Sequence, residues 1–167
     1  MVSLTLKQIT QRLQLLANSH EQINTVFVGN VDAFLAAKDV VYPACVIELK
    51  PTFTPDLQNR KATYNFTVGF FDLLDSADNS LSNETEIQSD LSSISLDFVA
   101  MINDYPYLQD WVVPETLTGR IANFQLADIC VGVYFDLPIS AHFDGNRCQV
   151  PIRKQQAFDY TFDNTFE

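Results

Sequence analysis

Between Asn83 and Tyr105 the apolar residues Ile87, Leu91, Ile94, Phe98 and Ile102 recur at intervals of four, three, four and four. That spacing places them on one face of an α-helix. Asn83 suits the N-cap of this helix, and Glu86, three residues on, suits a capping box. Glu84 and Glu86 also meet the positive end of the helix dipole. Pro106 ends the segment, because a residue before proline is steered away from helical angles. A second, narrower stripe of Leu6, Ile9, Leu13 and Leu16 predicts a helix over Leu4–His20. There Thr5 can cap, Gln8 can reach back, and Leu4 can staple onto Ile9.

Elsewhere the period falls to two. In Lys61–Leu73, Ala62, Tyr64, Phe66, Val68 and Phe70 alternate with Thr63, Asn65, Thr67 and Gly69, the mark of a half-buried strand. Asp128–His142 alternates as cleanly, with Ile129, Val131, Val133, Phe135, Leu137 and Ile139 in register. Tyr42–Lys50 reads as a strand, Leu117–Leu126 as a weaker one, and Thr25–Gly29 as a short apolar run. Val31–Lys38 fits one or two helical turns that carry Phe34 and Leu35 inward. Tyr107–Val113 holds Trp111. Asp144–Asn146 makes a turn, after which Arg147–Ile152 can pair briefly as a last strand.

Pro51–Lys61 reads as a polar loop of about ten residues, so Tyr42–Leu73 forms a long hairpin whose tip projects from the body. Asp75–Ser82 is a turn-rich linker into the central helix. The expected architecture is α+β: one domain over residues 1–152, with an antiparallel or mixed sheet, a long hairpin, and two helices on one sheet face. Residues 153–167 change character. Phe158, Tyr160, Phe162 and Phe166 are separated by polar and acidic residues, which suits an extended arm that lays aromatics into a groove. In an isolated copy the same stretch reads as a frayed terminus.

Charge narrows the function. A net charge of −11 across 167 residues lacks the basic stripe that nucleic-acid binding requires, and it disfavours an anionic membrane. No signal-like or membrane-spanning run occurs, which predicts a soluble chain made in the cytoplasm. Cys45, Cys130 and Cys148 are odd in number and lack CxxC spacing, so a disulfide scaffold is not expected; Cys45 and Cys130 lie in strand-like runs that suit buried thiols.

His20 and His142 stand far apart, too sparse for a zinc site. No phosphate loop, nucleophile elbow or metalloprotease motif occurs. The acids Asp72, Asp75 and Asp78 fall in a turn, and Glu84, Glu86 and Asp90 on an exposed helix start. Both groups suit capping and solubility. No catalytic residue, metal ligand or cofactor is predicted.

FFDLLDSADN, QSDLSSISLDF, ADICVGVYFDLPIS and NRCQVP are core and turn phrases. With the order Leu4–His20, Tyr42–Leu73, Asn83–Tyr105, Leu117–His142, they resemble the tail-completion or tail-terminator proteins of tailed bacteriophages. The likeness extends more loosely to other neck-ring proteins between portal and tail. It implies a non-enzymatic virion protein, present in the host cytoplasm during assembly. Such a protein forms a ring, hexameric or twelvefold, against portal, adaptor or tail-tube proteins. DNA would pass through its lumen, which an acidic lining would keep from sticking. The aromatic arm has no counterpart in that pattern.

Expected contacts follow. The hairpin tip, Phe53–Arg60, supplies Phe53, Pro55, Asp56 and Arg60. The polar sheet face supplies Thr63, Asn65, Thr67, Tyr134 and Asp136 beside Cys130. The arm supplies Phe158, Tyr160, Phe162 and Phe166. Two rivals remain: a small adaptor or assembly chaperone, and an enzyme built from scattered acids. The latter would need a deep pocket of carboxylates with raised pKa values.

Overall fold

A computed structural model describes residues 3–74, 81–104, 110–125 and 129–143. The elements run α1 (Leu6–Ser19), β1 (Thr25–Val28), α2 (Val31–Leu35), β2 (Ala44–Asp56), β3 (Lys61–Leu73), α3 (Leu81–Asp104), β4 (Trp111–Val112), β5 (Gly119–Gln125) and β6 (Ile129–His142). They form one α+β domain around a mixed six-stranded sheet.

The two strands of cleanest alternation make the centre of the sheet. β3 pairs antiparallel with β6 from Lys61↔His142 to Leu73↔Cys130. β2 flanks β3 in antiparallel register, and β1 adds to β2 in parallel. β5 and β4 share the far edge of β6, opposite Ile129–Phe135 and Ser140–Ala141 respectively.

Alternation sorts the side chains onto two faces. Cys45, Ile47, Phe66, Val68, Phe70, Val131, Val133, Phe135, Leu137 and Ile139 point to one face and pack with Ile9, Leu13 and Leu16 of α1 and Leu91, Ile94, Phe98 and Ile102 of α3. The predicted capping box of α1 is present. The Thr5 amide donates to Gln8 Oε1 at 2.8 Å, and the Gln8 amide donates to Thr5 Oγ1 at 3.3 Å. Leu4 and Ile9 are both buried in this core, as a staple requires.

Four expectations need correction. The central helix begins at Leu81, so Asn83 lies within it instead of capping it. Its carboxylate Glu84 serves another end, accepting from Gln88 on the same helix and from Asn123 of β5 at 2.5 Å. The hairpin loop is short: β2 runs through Pro51 and Pro55 to Asp56, leaving Leu57–Arg60 as the turn. Two prolines are compatible with a strand here because β2 is an edge strand beyond Ile47 among the described residues. The tip does not project alone either, since β3 is paired with β6 along its whole length and the Phe143 amide donates to Arg60 O at 3.0 Å.

The fourth correction concerns the second sheet face, expected to be open and polar. At one end it carries a small core of its own. Phe34 from α2 packs with Ala44, Val46, Phe71 and Cys130 there, with Phe27 and Tyr42 at the margin. Phe34 sits 5.2 Å from the Phe71 ring and 5.8 Å from Phe27, centroid to centroid. Cys130 is buried as its thiol was expected to be, on a face that was expected to be open. The reason is long-range: a five-residue helix brings one aromatic over a sheet position 37 residues later (71 − 34).

Candidate interaction surface

Three features that could carry chemistry resolve into structural roles. His20 ends α1, with Nε2 3.8 Å from an Asp97 carboxylate oxygen. Asp72 accepts from the Leu73 amide at 2.8 Å, and its carboxyl is held above the usual range by partial burial, with the Asp90 charge adding. Burial also pushes up both thiols, Cys130 to about 11 with the Asp72 charge contributing, and Cys45 further still. Such thiols are poor nucleophiles at neutral pH. Among the described residues no three His, Cys, Asp or Glu side chains gather as metal ligands would. Asp75, Asp78, Asp128 and Cys148 lie outside the described residues.

The surface expected to meet partners divides into two parts. On the polar face, cross-strand neighbours satisfy one another. The Thr63 and Ser140 hydroxyls are 2.6 Å apart, and Thr67 Oγ1 donates to Asp136 Oδ1 at 2.9 Å. Asn65 Nδ2 donates to the Thr52 carbonyl at 3.2 Å. Thr67 is buried by this packing, which removes it as a contact. Thr63, Asn65 and Tyr134 are half-buried, and Asp136 is exposed. Glu48, opposite Thr67, binds Lys50 Nζ at 3.2 Å.

The hairpin's far half differs. Phe53 stacks on Tyr64 at 5.9 Å and 23°, yet stays 60% exposed, beside Leu49 at 43%. Pro55 is exposed as well. Leu57 in the turn is 80% exposed. Asp56 and Arg60, predicted as contacts, build the turn: Asp56 accepts from the Asn59 amide and side chain at 3.0 and 2.7 Å, and Arg60 takes a left-handed φ of 51°. The Asn59 bonds hold the Asp56 carboxyl below its usual range.

Apolar exposure continues from Leu49 into a cleft of about 400 Å³ where β1 ends. Val28, Leu49, Pro51 and the edge of Phe66 line it with Thr10 of α1, and Asn30, Glu48 and Lys50 add polar walls. Sequence reasoning missed this cleft. Its signal was faint: Val28 closes a short apolar run that alternation alone does not place at an edge. The predicted arm contacts Phe158, Tyr160, Phe162 and Phe166, and the last strand Arg147–Ile152, lie outside the described residues.

No protein-family model matches the chain, and no curated protein matches its sequence. Among the described residues no helix is long and apolar enough to cross a membrane.

Proposed function

We propose that this chain is a structural subunit of a tailed phage. In this reading it assembles into a ring at the head–tail junction or tail end, joins tail to head, lets DNA pass, and catalyses no reaction. The observation that carries the reading is the far half of the hairpin. There Leu49, Phe53 and Leu57 stand 43%, 60% and 80% exposed beside a strand edge that is open among the described residues. Large apolar side chains exposed along such an edge favour a protein partner over water.

The order of elements supports the same reading through its resemblance to tail-terminator proteins. A helix, a long hairpin, a second long helix and a further strand pair occur in that succession. Ring closure would be heterologous, one patch of each copy meeting a different patch of the next. The charge of −11 fits a lumen that repels the phosphate backbone.

The test is genetic. In a phage whose genome encodes this chain, an early stop codon is expected to yield separate heads and tails. Supplying the chain from a plasmid should restore joined particles. Complete infectious particles made without it would overturn the reading.

A further inference from the structure

The open edge of β2 has a definite shape. Ile47 O accepts from the Gly29 amide at 3.0 Å, so the backbone of Ile47 faces the β1 side. Backbone groups alternate sides along a strand, which points Leu49 the same way. After the irregularity between Leu49 and Phe53, the pairs Phe53↔Tyr64 and Pro55↔Ala62 keep Phe53 and Pro55 outward as well. Among the described residues no strand pairs with β2 on that side past Ile47. Pro51 and Pro55 both lack an N–H, so the ladder available to an incoming strand is confined to Leu49–Phe53, is short, and lacks a donor at its middle. Side chains would have to supply most of the binding.

They are in place. Val28 and Leu49, 42% and 43% exposed, line the 400 Å³ cleft with Phe66, and Phe53 stands exposed farther along the same strand. On the opposite face the Lys50 ammonium lies beside the edge, paired to Glu48. An occupant matching this site is extended, aromatic at alternate positions on one side, and acidic on the other.

Phe158-Asp159-Tyr160-Thr161-Phe162-Asp163 has that pattern. As a strand it would turn Phe158, Tyr160 and Phe162 one way and Asp159, Thr161 and Asp163 the other. The described chain leaves the sheet at Phe143, beside Arg60 in the hairpin turn. The 15 residues from there to Phe158 (158 − 143) can span about 50 Å when extended.

We propose that the edge of β2 at Leu49–Phe53, with its cleft, receives the Phe158–Asp163 segment of a neighbouring copy. The aromatics enter the cleft and cover Val28, Leu49 and Phe53, and Asp159 or Asp163 lies by Lys50. The choice of a neighbour over the same chain rests on the ring reading above.

Four full-length chains test this: wild type, an arm variant (Phe158→Ser, Tyr160→Ser, Phe162→Ser), an edge variant (Leu49→Lys, Phe53→Lys) and the arm variant carrying both edge changes. All sites changed at the edge are substantially exposed, and circular dichroism checks that each chain folds. A fluorescein-labelled peptide of residues 153–167 is titrated against the arm variant by anisotropy. Saturable binding is expected, weakened at least tenfold when Leu49→Lys and Phe53→Lys are added. No binding, or binding indifferent to the edge changes, overturns the proposal. Sedimentation of the wild type then decides whose arm is bound. Self-association that the arm variant and the edge variant each abolish, and that returns on mixing those two, supports the neighbour. A wild-type monomer whose edge resists the peptide overturns that claim. Because these readouts use purified protein, they can fail while the particle test succeeds, and the reverse.

Discussion

The Phe71 ring reaches over Gly69 on the α2 side of the sheet, so close that a Cβ added at Gly69 would stand 2.7 Å from it. The missing side chain is what lets Phe71 fold back along its own strand and reach Phe34. Tyr134 borders the same spot, its Cβ 3.4 Å from the added atom. Gly69→Ala therefore forces the ring out of a buried cluster. The expected cost is about 1–3 kcal/mol, measured as a lower midpoint in urea. An unchanged midpoint would mean the ring is free to move aside.

The second core should be separable from the first by chemistry. Cys130 lies under Phe34, while Cys45 lies under α1 on the opposite face. Both thiols are expected to be inert to Ellman's reagent at pH 8 in the native protein and reactive in guanidinium. Phe34→Ala should cost about 3–5 kcal/mol and open Cys130 to the reagent. Cys45 should stay protected, as peptide mapping would show. Equal rates at the two thiols would point to global unfolding and against two distinct cores.

Asp72 gives a pH dependence with a definite sign. Its carboxyl is raised in the folded state by burial first and the Asp90 charge second. The folded protein thus prefers the protonated form, an advantage fully present below the unfolded carboxylate pKa near 3.9 and lost as pH rises through the folded value. Asn keeps the acceptor for the Leu73 amide. Asp72→Asn is expected to raise the melting temperature at pH 7 and to leave it unchanged at pH 3. A rise of equal size at both values would contradict this.

Arg12 joins α1 to the short strand β4. Its guanidinium bonds Asp110 at 3.1 Å and sits 5.9 Å from the centroid of the buried Trp111 ring. Arg12→Lys keeps the charge but loses the planar stack. The expected loss is about 0.5–1 kcal/mol, in line with a partly exposed cation–π contact, and denaturant titration would read it. No loss would make the stack incidental.

The sequence was most legible where burial on one face forces alternation or a stripe. Alternation fixed which side chains of Phe66–Phe70 and Val131–Ile139 face the core, though not that the two strands pair, and Thr5 with Gln8 marked a helix start by short-range bonding. Legibility failed at β2 beyond Leu49. On an edge strand with one exposed side, Pro51, Thr52 and Pro55 cost little, so nothing in their pattern distinguishes strand from loop. It failed again at Phe34, whose partners Phe71 and Cys130 are remote in sequence. Of the residues expected to meet a partner, Phe53 stands exposed and Thr67 is buried beside Asp136, and the Val28–Leu49 cleft depends on where β1 stops.

The central claim is that the chain serves as a building block between head and tail. Cryo-electron microscopy of particles from a phage encoding it, reconstructed at the neck without imposed symmetry, tests this most directly. The account predicts a closed ring of this fold around the DNA path, with the Leu49–Phe53 edge of each copy covered by its neighbour. A neck fully built from other proteins, with no density for this fold, would contradict it.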